Sequence, residues 1–286
     1  MKFKALIIIA FVSLTSCFSA KGLPIKETPE DSKESVEKED SVADEHNTSM
    51  DNVTVDVTAE DIQIDKQIDE PKVDHSAWDN LLKKHVADNG DVNYKGFKKD
   101  IQLLNDYVNY LATQIPSESW TLNEQLAYFI NVYNANTIKL IADNYPTKSI
   151  KDINNPWLKN RIKIGKEDYS LADIENGILR KMNEPKIHFA INCASFSCPK
   201  LLNTAYTTNN VQELMERATR EFINNDSKNK LEKDEVKISE IFKWYKSDFT
   251  ENGSVIDYIN QYSDINIFPN AKINYINYDW SLNEQN

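Results

Sequence analysis

The chain has 286 residues, 33 Lys and Arg against 45 Asp and Glu, and a formal net charge of −12. Its six glycines never form G-x-G-x-x-G or G-x-x-x-x-G-K-[ST], which excludes a Gly-rich nucleotide cradle, and so acidic a chain without a basic stripe is a poor nucleic-acid binder. Three Cys and four His leave little for a metal centre, so neither metal nor cofactor is expected.

Lys2 and Lys4 precede an apolar run, Ala5 to Val12, too short to span about 30 Å of hydrocarbon as a permanent helix. The run leads into Leu14-Thr15-Ser16-Cys17, which resembles a bacterial lipobox. On that reading residues 1–16 are a lipoprotein signal peptide and Cys17 carries the lipid. Phe18 stands where an Asp would signal retention at the inner membrane, which points to the outer membrane of a cell envelope. The lipid is then the only membrane contact. Residues 17–72 read as a disordered tether. Most of the net charge, −10, falls between 18 and 72, with Phe18 the one aromatic residue, so the stretch cannot bury enough apolar surface to offset chain entropy.

Residues 73–286 suffice for one well-buried globular domain. Trp78, Leu81, Leu82, His85 and Val86 recur at helical spacing, as do Ile101, Leu104, Tyr107, Val108 and Leu111. Thr121-Leu-Asn-Glu124 is a capping box that opens a third helix running to about Asn144, before Pro146. Ser170 and Asp173 start a fourth. The alternation of Ile187, Phe189 and Ile191 with His188, Ala190 and Asn192 predicts a short strand. A helix is expected over about 208–222, and strands at 229–238 and 272–279. Strands interrupted by helices make the fold class α+β, helix-rich, with a small sheet.

Two stretches carry unusual polar residues. The third helix has apolar residues on every side, yet Glu124, Tyr128, Asn131 and Asn134 form one stripe along it. Either Glu124 closes the capping box and the two Asn tie neighbouring loops, or the stripe lines a site. The second stretch is His188-Phe-Ala-Ile-Asn192-Cys193-Ala-Ser195-Phe-Ser197-Cys198-Pro199. One reading makes Cys193, or Cys198, a thiolate nucleophile with His188 or His85 as base and Glu124, Asn131 and Asn134 as orienting groups. The other makes Cys193–Cys198 a disulfide that braces a non-catalytic binding module. On a regular strand His188 and Cys193 would face opposite sides, so a turn beginning at Asn192 is needed to unite them. His188 with two thiols matches no common metal site. The sharpest expectation is that Glu124, Asn131, His188 and Cys193 meet at one cavity. The partner is expected to be an envelope peptide or protein.

Several segments resemble the family called domain of unknown function 547. They include Trp78-Asp-Asn-Leu-Leu, Gly90-Asp-Val-Asn-Tyr94, Asn123 to Thr137, Tyr145 to Ile153, Asp173 to Arg180, Ile187 to Pro199, Ile241 to Phe249 and Tyr278 to Asn283. The resemblance implies an extracytoplasmic bacterial domain, fused in some eukaryotic relatives to glutaredoxin-like modules. It implies no established activity. Where the family often has His, this chain has Asn176.

Overall fold

The computed structural model describes Lys21, residues 23–27 and residues 73–285; the expected signal peptide, residues 1–16, and Cys17 lie outside the described residues. Elements follow in chain order. Helices α1 (Ser76–His85), α2 (Tyr94–Lys99) and α3 (Ile101–Thr113) lead to the long α4 (Leu122–Asp143). A hairpin of β1 (Ile162–Ile164) and β2 (Glu167–Tyr169) precedes α5 (Leu171–Gly177). Then come α6 (Ile187–Ala190), α7 (Val211–Ile223), β3 (Lys230–Leu231), β4 (Glu235–Ser239), α8 (Ile241–Trp244), α9 (Lys246–Phe249), α10 (Val255–Asn260) and β5 (Lys272–Ile276). The architecture is helix-rich α+β, with two small sheets instead of one. The second sheet has order β3-β4-β5, antiparallel then parallel. No described helix is long and apolar enough to cross a membrane.

Helix α4 is the axis of the fold. Of its 22 residues, 18 are buried, so it is surrounded instead of lying on a surface. Its start is fixed by the capping box: Thr121 Oγ1 accepts from Glu124 N at 3.2 Å, and Glu124 Oε2 accepts from Thr121 N at 2.6 Å. Leu126, Phe129, Ile130 and Ile138 join the main core with Trp78, Phe97, Leu104 and Met215. A second apolar cluster gathers Phe189, Phe222, Phe242, Phe249 and Ile256 around β4 and α10.

The amide side chains of α4 do backbone work. Asn131 donates to Tyr206 O at 2.7 Å and accepts from Tyr206 N at 3.2 Å. Asn134 donates to Ala190 O at 3.0 Å and accepts from Asn192 N at 2.8 Å. Each amide thus satisfies the donor and acceptor of a buried irregular segment, as a neighbouring strand would.

This explains a correction to the expected strand at 187–192. The segment is the single turn α6 followed by extended Ile191. Backbone bonds run from Ile187, His188 and Phe189 to Glu184, Pro185 and Lys186, and the groups left open at 190 and 192 go to Asn134. The strand expected at 229–238 is split into β3 and β4, and that expected at 272–279 ends with β5 at Ile276. Beyond it the chain turns along the cysteine loop, where Phe196 N donates to Ser281 O at 2.7 Å and Ser197 N to Asp279 O at 3.1 Å.

Within the stretch expected to be an unstructured tether, residues 23–27 lie on the body. Leu23 and Ile25 pack against the main core, and Lys26 N donates to Gln125 Oε1 at 3.0 Å. Leu23-Pro24-Ile25 is a compact apolar patch in an otherwise polar run, which accounts for its burial.

Candidate active site

A cavity of about 310 Å3 opens between α4, α5, the cysteine loop and the chain after β5. Cys193 and Cys198 lie on one wall. The turn that carries them is set by Asn192, whose side chain accepts from Ala194 N at 2.8 Å and donates to Pro199 O at 2.7 Å. Ala194 adopts a left-handed conformation, φ +60°, costing an L-residue on the order of 1 kcal/mol. The anchored Asn192 side chain holds it there.

Both thiols are free, with their sulfurs 3.0 Å apart. Cys193 Sγ also lies 3.0 Å from Ser195 Oγ and 3.2 Å from Tyr278 Oη, and Ser195 donates to Tyr278 at 3.0 Å. The hydrogen bond from Cys198 favours the Cys193 thiolate. Burial opposes it, but Tyr278, whose oxygen receives the Ser195 hydroxyl, lies beside the sulfur as a further donor, and the Cys193 thiol is held below its ordinary range. Cys198 goes the other way: burial, then its donation to Cys193, raises it well above that range. The pair therefore divides into a sulfur favoured as thiolate and a neighbour held as thiol.

His188 lines the same cavity. Its Nε2 is 2.8 Å from Asp248 Oδ2, and its ring stacks on Tyr245 with centroids 4.0 Å apart. Arg180 grips Asp248 with two 2.6 Å bonds. Burial would raise Asp248, yet Arg180, His188 and Ser247 together hold its carboxyl far below the usual range. His188 and Cys193 share the cavity without a hydrogen bond between them. The one-turn α6 places them there together, where strand parity would have separated them.

Capped by Ser170, α5 brings Glu175 and Asn176 to the opposite wall. Glu175 accepts from Tyr133 at 3.1 Å and, in a short bond, from Tyr245. The mouth is aromatic: Trp280 stands 4.5 Å from Tyr278, 5.9 Å from Trp244 in a stacked pair, and 5.5 Å edge-on from Trp157. Among the described residues, no group of three His, Cys, Asp or Glu is placed to hold a metal ion.

Of the four residues expected to meet, the cavity lining includes two. His188 and Cys193 meet at the cavity, with Cys198. Glu124 does not, because it closes the capping box at the far end of α4. Asn131 is spent on Tyr206, and Asn134 acts one step removed by fixing the backbone at 190 and 192. His85 is also elsewhere, with Nε2 2.7 Å from Asp100 Oδ2. A Cβ at Gly96 would stand 2.4 Å from its Nδ1, so the backbone of α2 walls the ring in. Sequence reasoning missed Asp248, Arg180, Glu175, Tyr245 and Tyr278. All five fall in segments on which the family resemblance was read, and that was the available signal.

Residues 117–223 match the family model described as a protein of unknown function, DUF547. The match supports the resemblance read from the sequence. The matched stretch runs from the approach to α4 through α7, so it contains Glu175, His188, Cys193 and Cys198, while Asp248 and Tyr278 come from beyond it. No curated protein and no solved structure matches the chain.

Proposed function

We propose that this protein is a lipid-anchored cell-envelope enzyme that performs thiol-dependent acyl transfer or hydrolysis with Cys193 as nucleophile. One observation carries the reading: the half-buried Cys193 sulfur faces an open cavity with Cys198 Sγ at 3.0 Å and Tyr278 Oη at 3.2 Å, an arrangement that favours its thiolate. In the proposed reaction the Cys193 thiolate attacks a carbonyl carbon, and the oxyanion forms beside Tyr278 Oη. With Nε2–H given to Asp248, the basic nitrogen of His188 is Nδ1. Protonated His188 supplies the proton for the leaving group, the C–N or C–O bond breaks, and a thioester remains. Water or an acceptor amine then attacks the thioester, returning its proton to His188 and the sulfur to thiolate.

The anchor rests on Lys2, Lys4, the short apolar run and Leu14-Thr15-Ser16-Cys17. With residues 23–27 docked on the body, the lipid would hold the domain at the outer membrane through the short stretch that precedes Leu23.

The catalytic test uses p-nitrophenyl acetate. The reduced protein should acquire one acetyl group on Cys193, visible by mass spectrometry and lost with time, and Cys193→Ala should acquire none there. Absence of any adduct on Cys193 refutes the enzyme. The 3.0 Å sulfur separation favours a second reading, in which an oxidising compartment joins the two cysteines and the domain only binds. Protein isolated from the envelope under thiol-blocking conditions separates them: two titratable thiols support the enzyme and none supports the brace.

A further inference from the structure

The cavity is charged as well as aromatic. No lysine or arginine lines it among the described residues. Glu175 is buried, 6% exposed, and both of its oxygens are met by phenols, Tyr133 and Tyr245, rather than by a cation. The nearby Arg180 is committed to Asp248 through two bonds, so that pair neutralises itself. In the proposed reaction the Cys193 thiolate is offset by protonated His188, so Glu175 is the charge left without a cation among the lining residues. Buried charge of one sign calls for an opposite partner. The walls facing it are π-surfaces, and two of these rings already take cations: Lys151 Nζ lies 5.1 Å from the Trp280 centroid and Arg180 Cζ 5.4 Å from that of Tyr245.

We infer that the cavity recognises an organic ammonium group, the side chain of a lysine-type residue in a peptide, seated against the aromatic mouth formed by Trp244 and Trp280 with Glu175 as its counter-charge. This names the substrate class of the proposed acyl-transfer site and rests on that reading only for the position of the scissile carbonyl. A phospholipid headgroup carries an ammonium too, but its phosphate would lie against Glu175 with no lysine or arginine in the lining to receive it. A space of about 310 Å3 accommodates one long side chain and the adjoining peptide unit, at the small end of ligand pockets.

The test separates binding from chemistry by using full-length Cys193→Ser protein and tryptophan fluorescence. The probes are Nα-acetyl-lysine-N-methylamide, its uncharged counterpart Nα-acetyl-norleucine-N-methylamide, and O-phosphoethanolamine. The lysine probe should bind at least ten-fold more tightly than the norleucine probe. Glu175→Gln should bring the two within two-fold of each other. Trp244→Ala, at a position 43% exposed and so tolerant of truncation, should weaken the lysine probe several-fold even if Glu175→Gln fails to fold. Equal binding of both amide probes, or a preference untouched by either variant, overturns the inference. Tighter binding of O-phosphoethanolamine overturns the peptide in favour of a headgroup. An intact lysine preference without any acyl adduct on Cys193 would instead leave the binding site standing and remove the enzyme.

Discussion

Asn134→Ala tests how the core helix builds the site. Asn134 is 2% exposed, and its amide bonds Ala190 O at 3.0 Å and Asn192 N at 2.8 Å. Truncation leaves a buried carbonyl and a buried N–H without partners, each at about 1–3 kcal/mol. The expected loss is therefore about 2–6 kcal/mol, a large share of a total near 5–15 kcal/mol. Asn136→Ala is the internal control, since that amide donates only to Val132 O, four residues earlier on its own helix, at 2.8 Å. That carbonyl keeps its helical partner, so the control should cost about 1 kcal/mol or less. Urea unfolding with unchanged slopes reads both. Asn134→Ala should also release the turn at Asn192 and slow alkylation of Cys193. If the two variants cost the same, or if Cys193 reacts unchanged, Asn134 does not position the cysteine loop.

Burial lowers His75 from 6.5 to about 4, so it stays neutral in the folded protein where the unfolded chain would be protonated. Its contribution is therefore complete above about pH 6.5, declines as the pH falls toward 4, and amounts to about 3 kcal/mol. His75→Gln should flatten that part of the pH–stability curve in urea titrations, and an unaltered slope would contradict the assignment. Glu124→Ala should cost about 1 kcal/mol through loss of the capping box yet leave Cys193 alkylation unchanged, whereas a changed rate would put Glu124 back at the site. Cys17→Ser should abolish incorporation of a fatty-acid analogue and release the protein from membranes, while unchanged partitioning would refute the anchor.

Helical periodicity and caps made α1, α3, α4, α5 and α7 legible, because each pairs an apolar stripe with a start or stop signal. Thr121 with Glu124, and Ser170 with Asp173, form the boxes read from the chain. Short elements were not legible: α2, the β1–β2 hairpin and α8 to α10 have three to six residues each, too few to show a period. The 187–192 segment was misread for a related reason. Three alternating apolar residues fit one helical turn as well as a strand, and the partner that decides between them is Asn134, more than fifty residues earlier. At the site, the chemistry-bearing pair His188 and Cys193 stood out in sequence because thiol and imidazole are scarce here. Their partners did not. Glu175, Asp248 and Tyr278 are common residue types whose meaning comes from contacts across 42 to 85 positions. The Asn stripe on α4 was a true anomaly with a structural cause, since a buried irregular backbone needs donors and acceptors that no strand provides.

The reactive sulfur is the centre of this account, and its titration tests it most directly. Reduced, folded protein is pulsed with iodoacetamide across pH 5–10 (about the range that brackets an ordinary thiol near 8.5), and each cysteine is quantified by peptide mass spectrometry. Cys193 should react with a midpoint below the ordinary thiol value, Cys198 should stay unmodified until the protein unfolds, and Tyr278→Phe should move the Cys193 midpoint upward. A Cys193 that titrates at or above an ordinary thiol, or a Cys198 that reacts first, would contradict the account.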